Sequence, residues 1–263
     1  MAVSERQPLR VRYKDLLPRI VVGAILIAIA LFGGWQGGLF FDFLMGVAAL
    51  LMFREWARLV ALTDNDRMVG FVGIGAGMVL ADALLFPMAF GVLILSAVWY
   101  LFSNRRAALG VVYAGAPFVA LIWLRTQEKG FALIVWTLAV VWATDIFAYF
   151  AGRTIGGPKI APSISPSKTW AGLIGGMTGA AAVGSGLTMA FSLPFDPFHS
   201  AGLGAALAIA AQSGDFYESH LKRRAGVKDS GHLLPGHGGV MDRLDGLVPV
   251  SLIVSGAVWL LGS

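Results

Sequence analysis

The run FALIVWTLAVVWATDIFAYF (131–150) is twenty residues long and holds a single charged side chain, Asp145. As an α-helix it would extend roughly 30 Å, at about 1.5 Å per residue. That matches the hydrocarbon core of a bilayer, about 30 Å thick. A membrane β-strand would take about ten residues of alternating polarity, and no alternation is visible. The run reads as a transmembrane helix. Comparable apolar segments cover 20–36, 38–53, 69–86, 88–102, 108–124, 171–192, 201–217 and 246–262, making nine in all. The 263 residues are 57% hydrophobic and 13% charged, with a mean hydropathy of +0.75. A soluble domain carries about 25% charged residues. The expectation is an all-α polytopic membrane protein of about nine spans, one domain over 1–263, with N-terminal spans in 1–130 and a second half in 131–263. The chain has no cysteine, which excludes disulfides and thiolate metal sites.

The basic residues test the span count. Arg6, Arg10, Arg12, Lys14 and Arg19 precede the first run; Arg54, Arg58 and Arg67 follow the second; Arg105 and Arg106 follow the fourth. Arg153, Lys159 and Lys168 follow the sixth, and Lys222, Arg223, Arg224, Lys228 and Arg243 follow the eighth. Eighteen of the 20 Lys and Arg thus share one side, leaving Arg125 and Lys129 on the other. By the positive-inside rule the charged side and the N-terminus are cytoplasmic, and an odd number of spans puts the C-terminus outside. An isoelectric point of 9.7 would suit nucleic acid, but these cations sit in short loops where they set topology, so no nucleic-acid partner is expected. IVVGAILIAIALFGG (20–34), preceded by basic residues, has the outline of a signal peptide. No small-residue cleavage site follows it, so it is read as an uncleaved first span.

Gly73 and Gly77, and Gly172 and Gly176, are spaced small-xxx-small, which lets helix backbones approach closely in lipid. Such glycines permit a homodimer without requiring one. Gly73-Ile74-Gly75 opens like a dinucleotide loop, but no strand precedes it, and no G-x-x-x-x-G-K-[ST] loop occurs.

An acidic residue inside a span costs roughly 2.5–3.5 kcal/mol, which makes each one a functional candidate. Asp42 and Asp82 lie near helix ends and read as partly solvated carboxylates. Asp145 lies one to two turns before the end of its helix and can face a cavity or pair with a lysine. Beyond it, GRTIGGPKIAPSISPSKTWAG (152–172) reads as an irregular loop, carrying Ser163, Ser165, Ser167, Lys168 and Thr169. Hydroxyls and an ammonium suit phosphate oxygens; equally, a Ser or Thr there would cap the next helix.

Charge concentrates in KRRAGVKDSGHLLPGHGGVMDRLD (222–245), where eight of 24 residues are Lys, Arg or Asp. QSGDFYESHLKRRAG (212–226) reads as a span continuing into a basic helical turn stopped by Gly226, with Asp215, Glu218, Ser219 and Lys222 on one face. Asp242 and Asp245, three apart, share a face at the start of the last span. Two acidic faces meeting there would make an all-oxygen site suited to Mg²⁺, bound by carboxylates and substrate phosphates. A basic loop binding anionic lipid headgroups would explain the cations, but not the carboxylates among them. Gly236, Gly238 and Gly239 would let backbone N–H groups approach an anion. His237 would bond a phosphate or orient the loop, whereas His199 and His220 read as interfacial bystanders.

The residues Ser219, Lys222-Arg223, Lys228-Asp229, PGHGG (235–239) and DRLD (242–245) together resemble the signature of the phosphatidate cytidylyltransferase (CDP-diacylglycerol synthase) family. GD..ES (214–219), SPSKTWAG (165–172) and the Asp145 region resemble family features as well, while the N-terminal spans match in general character. One departure is Ala171, where many members have Glu. The resemblance implies transfer of CMP from CTP to phosphatidate with Mg²⁺, in the C-terminal half. For metal it points first to Asp215 and Asp242, then to Asp229, Asp245, Asp145 and Glu218. Lys168, Lys222, Arg223, Lys228 and Arg243 would hold phosphates, helped by Ser165, Ser167, Thr169, His237, Gly238 and Gly239. It also implies a bacterial inner-membrane enzyme whose site faces the cytoplasm. The alternatives are a CTP-dependent enzyme acting on an ether-lipid phosphate or polyprenol, and a transporter. A transporter would place its charges near mid-membrane in paired halves, not at one face of one half.

Overall fold

The structure, a computed structural model, describes residues 16–101, 104–234 and 236–262. Arg6, Arg10, Arg12 and Lys14, and Pro235 of the PGHGG motif, lie outside the described residues. The helices are α1 (Leu16–Gln36), α2 (Gly38–Leu59), α3 (Asp64–Asp82), α4 (Phe86–Leu101), α5 (Arg105–Thr126), α6 (Gly130–Thr154), α7 (Trp170–Phe191), α8 (Pro197–Arg224), the short α9 (Met241–Leu244) and α10 (Leu247–Gly262). Each of the nine apolar runs lies largely within a helix of its own. Among the described residues three helices, α5, α6 and α7, are long and apolar enough to cross a membrane; Ile20–Gln36, Phe86–Leu101 and Leu247–Leu261 are apolar but shorter. The protein is thus a predominantly helical membrane protein.

Helix ends differ from the apolar runs for a local reason. Apolarity marks where lipid begins, whereas capping decides where the helix begins. The helix α3 starts five residues ahead of its apolar run because Thr63 accepts the Asp66 N–H, with Asp64 and Asp66 in the first turn. Asp196 accepts the N–H groups of Phe198 and His199, and Pro197 opens α8. At its other end α8 outruns the apolar segment to Arg224 and stops where Gly226 adopts φ +72, as the sequence anticipates. Its 28 residues extend about 42 Å, so Asp215, Glu218 and Lys222 ride on a continuous rod.

The segment expected as an irregular loop is instead a two-stranded antiparallel hairpin, β1 (Lys159–Ala161) and β2 (Ser165–Thr169), pairing Lys159 with Thr169 and Ala161 with Ser165. Gly156 and Gly157 take φ of +70 and +92 before it, a region open mainly to glycine. The DRLD segment is likewise corrected. Asp242 lies on the separate helix α9, Asp245 ends it, and α10 begins at Leu247.

Helices α6, α7 and α8 pack most closely, on glycine. A Cβ at Gly172 would stand 3.0 Å from the Ala148 carbonyl, and one at Gly176 3.0 Å from that of Thr144. Gly204 of α8 meets the Ala180 backbone in the same way. These contacts bring α6 and α8 together across α7, the close approach that small residues allow in lipid. Helices α2 to α5 form a second packed group around Phe53, Trp56, Ile74, Leu93 and Phe118, all buried. The two outlying cations cap helix C-termini at the other end of the bundle. Arg125 donates to the carbonyls of Gly34 (2.6 Å) and Trp35 (3.3 Å) at the end of α1, and Lys129 to those of Phe191 and Ser192 at the end of α7.

Candidate active site

The C-terminal ends of α2, α6 and α8 and the N-terminal ends of α5, α7 and α10 share the end of the bundle that carries β1–β2 and the 225–246 connection. There five carboxyl groups gather: Asp145 from α6, Asp215 and Glu218 from α8, Asp242 from α9, and Asp245 beyond it. Lys168 of β2 pairs with Asp215, which also accepts from Ser219 Oγ at 3.3 Å. Lys222 donates to Asp242 Oδ1 at 2.6 Å and lies 3.2 Å from Glu218 Oε2. Charge interactions join Asp145 to Lys168, Asp215 and Arg243, and Asp245 to Asp215, Asp145 and Glu218. The i, i+3/i+4, i+7 face expected on α8 therefore exists, and it meets the DRLD carboxylates.

The environments of these groups differ. Burial acts against the Lys168 ammonium, but Asp215, with Asp145 and Asp245 behind it, outweighs burial and holds the lysine above its ordinary range. Burial would raise Asp242, yet Lys222 and the backbone N–H groups of Gly239 and Ser230 hold it below the usual carboxylate range. Burial pushes Asp245 up to about 6; the Asp215 charge adds to this, while bonds from Glu218 and the Gly246 N–H oppose it. Asp242 is thus held firmly charged by its partners, whereas burial moves the titration of Asp245 to just below neutral pH.

The 225–246 connection turns tightly. Leu234 N–H donates to Gly238 O and His237 N–H to Leu234 O, with Gly236 at φ +74 and Gly238 at φ +83. Lys228, Asp229, His232, Leu234, Gly236, His237, Gly238 and Arg243 line an open pocket of about 470 Å³. Arg243 crosses its edge, donating through Nε to His237 O at 3.0 Å. The anion that the Gly239 N–H meets is the protein's own: Asp242 Oδ2, at 2.7 Å. Arg223 bonds the Val227 carbonyl at 3.1 Å. Thr169, buried at the end of β2, caps α7 by accepting the Gly172 N–H at 3.0 Å, and so fixes where the neighbouring Lys168 leaves the backbone. Ser165 is half-buried and Ser167 exposed on that strand.

Several contributors were not singled out in the sequence. Glu55 of α2, 4% exposed, accepts hydrogen bonds from the 225–246 connection. Ser230, also buried, lies against both Glu55 and Asp242. Trp56, Tyr113 and Tyr217 form an aromatic group with centroids 5.1–6.1 Å apart, beside Asp215, Glu218 and Asp245. Glu55 stands between Arg54 and Arg58, and reading those arginines as a loop hid it. Its one signal is an acidic residue beside Trp56 in a stretch with helical continuity.

These residues fit a hard divalent cation. Five carboxyls gather with two lysines and Arg243, and burial together with their mutual repulsion holds Glu218 and Asp245 above the usual carboxylate range, so the cluster has room for further positive charge. Glu218, 1% exposed, accepts no hydrogen bond at either oxygen, and the buried Tyr113 hydroxyl beside it has no hydrogen-bond partner among the described residues. Among those residues no three acidic or histidine side chains are set to hold an ion by themselves. An ion there would draw on water and phosphate oxygens, the habit of Mg²⁺.

The model of the cytidylyltransferase family matches residues 17–261. The chain is 42% identical over 251 residues to the phosphatidate cytidylyltransferase of Brucella abortus biovar 1 (strain 9-941), covering 91% of this chain and 92% of that one. The protein of that name from Pseudomonas aeruginosa is 32% identical over 266 residues, covering 94% and 98%, and the one from Rickettsia typhi 28% over 251, covering 93% and 92%. A match over nearly the whole length, including the N-terminal helices and the acidic site alike, places this chain in the cytidylyltransferase family.

Proposed function

We propose that the protein transfers CMP from CTP to phosphatidate, giving CDP-diacylglycerol and pyrophosphate. The observation that carries this reading is the convergence of Asp145, Asp215, Glu218, Asp242 and Asp245 with Lys168, Lys222 and Arg243 beside an open cationic pocket. Relatives named phosphatidate cytidylyltransferase share that sequence over nearly its whole length. A phosphate oxygen of phosphatidate attacks the α-phosphorus of CTP; the new P–O bond forms as the bond to the α,β-bridging oxygen breaks, and pyrophosphate leaves with the electron pair. The acceptor is itself an anion, so no serine or cysteine nucleophile is required. The barrier lies in bringing two anions together and in the charge on the leaving group, which preorganised cations lower.

In this reading Lys228 and Arg243 bind nucleotide phosphates in the pocket, with His237 and the Gly236–Gly238 backbone shaping its wall. Lys168 and Lys222, each aligned by a carboxylate, face the lipid phosphate and the departing pyrophosphate, and Ser165 and Ser167 add hydroxyl donors. Arg223 holds the turn that presents Lys228. Mg²⁺ would be held by Asp215, Asp242 and Asp245, with Asp145 and Glu218 beside them and Asp229 at the pocket, and when bound would neutralise charge on the CTP phosphates and on pyrophosphate. The placement of eighteen of 20 basic residues supports nine crossings and a site at the cytoplasmic face. Bacterial relatives support the inner membrane. Phosphatidate would then enter sideways from that leaflet, and CTP from the cytosol.

The test is pyrophosphate release from CTP by purified protein in phosphatidate micelles, with Mg²⁺ and with a chelator, beside Asp215→Ala and Asp242→Ala. Turnover that needs phosphatidate and Mg²⁺ and is lost in both variants is expected. Turnover with an ether-lipid or polyprenyl phosphate in place of phosphatidate would overturn the substrate, and undiminished turnover in both variants would overturn the site.

A further inference from the structure

The helix α9 carries Asp242 and Arg243 and leads into Asp245, yet it has one turn and no side-chain cap of its own, since Val240 stands at its N-cap. The free N–H groups at such a terminus need acceptors. Glu55 supplies them from α2, across 185 and 186 residues of chain: Oε1 accepts the Val240 N–H at 2.9 Å and Oε2 the Met241 N–H at 2.8 Å. The Ser230 hydroxyl lies 2.8 Å from Glu55 Oε2 and 2.9 Å from Asp242 Oδ2. It has one hydrogen to give, so the two carboxylates draw on one donor and are linked through it.

Glycines make room for this contact. A Cβ at Gly231 would stand 2.6 Å from Glu55 Oε1, and one at Gly239 would collide with Oε2. Two glycines of the connection thus admit a carboxylate from a helix in the other half of the chain. Among the described residues Glu55 forms no ion pair, so these hydrogen bonds are what keep a 4% exposed carboxylate in place. A glutamine could not substitute, because its NH₂ would face one of two backbone N–H groups, donor against donor.

We infer that Glu55 is a positioning residue: its carboxylate caps α9 and fixes the 230–242 segment, and through that segment sets where Asp242 and Arg243 stand. It touches no reacting group in the proposed reaction. The inference depends on that reaction for its kinetic readout alone.

The experiment is amide hydrogen exchange, followed by mass spectrometry of peptides spanning 228–244, on the full chain in detergent, wild type beside Glu55→Gln and Ser230→Ala. In the wild type the Val240 and Met241 amides should exchange slowly although they belong to a connecting segment. In Glu55→Gln they should exchange at least tenfold faster while α6–α8 peptides stay unchanged, and Ser230→Ala, which keeps both N–H acceptors, should show a smaller change. CMP transfer in Glu55→Gln should fall tenfold or more through kcat or the KM for CTP, with the KM for phosphatidate held. Fast exchange at Val240 and Met241 in the wild type would overturn the inference even if Glu55→Gln failed to fold. So would unaltered exchange in Glu55→Gln. A wild type inactive on phosphatidate would overturn the proposed reaction and leave the exchange result to decide on Glu55.

Discussion

Replacing Lys222 by Met keeps most of the aliphatic stem and removes the ammonium. Two carboxyl groups lose the same neighbour at once: Asp242 at 2.6 Å and Glu218 at 3.2 Å, with side chains 5% and 1% exposed. Breaking a buried pair on one side costs about 3 kcal/mol, because the other charge is left uncompensated. That cost should not be shared equally. Burial, with the Asp245 charge, pushes Glu218 up to about 10, so it keeps its proton at neutral pH, whereas Asp242 is held below the usual carboxylate range and stays charged. Most of the penalty therefore belongs to Asp242, softened by the N–H groups of Ser230 (2.9 Å) and Gly239 (2.7 Å) that it keeps. Adding Asp242→Asn to Lys222→Met should recover about 2 kcal/mol of the loss, and adding Glu218→Gln, which replaces a group already neutral, should recover less than half of that. Reversible unfolding in mixed micelles, followed by tryptophan fluorescence in the presence of chelator, measures all four proteins. A Lys222→Met cost under about 1 kcal/mol, or a better rescue by Glu218→Gln than by Asp242→Asn, would refute the reasoning.

Burial holds Asp245 up at about 6 against an ordinary value of 3.8, so the folded chain binds this proton more tightly than the unfolded chain. Wild-type stability should therefore rise as pH falls from about 6 towards 4, and the advantage of Asp245→Asn over wild type should grow by up to about 3 kcal/mol from pH 4 to pH 7 in chelator; a pH-independent difference would count against it. Gly204→Ala sets a methyl 2.5 Å from the Ala180 carbonyl, and backbone cannot yield as a side chain can. It should cost about 1–3 kcal/mol and lower turnover by shifting α8 with Asp215; unchanged unfolding would contradict the packing. Arg125→Gln removes two bonds to the end of α1, one of them 2.6 Å, and should cost about 1 kcal/mol with CMP transfer intact, since it lies at the opposite end of the bundle. A lost activity there would mean that the two ends are coupled.

Much of this protein is legible in local sequence because membranes penalise charge so heavily. A twenty-residue, largely apolar run holding Asp145 implies a helix, and a carboxylate retained in it implies a use. The spacing of Asp215, Glu218 and Lys222 places them on one face of α8 by helical geometry alone, and Gly226 stops that helix as expected. Local rules also fail in local ways. Pro and Gly around 156–166 suggested a loop, whereas pairing of Lys159 with Thr169 makes a hairpin, because strand partners are decided by where the chain returns.

Residue type and short-range period settle the solvent of each segment and the chemistry concentrated at one end. What the tertiary structure alone decided is who partners whom. Lys168 belongs to Asp215, Lys222 to Asp242 and Glu218, and Glu55 to the backbone of Val240 and Met241. These pairings join residues up to 186 positions apart. They depend on helices brought into register by glycine contacts elsewhere, and no periodicity within one segment encodes a distance between two.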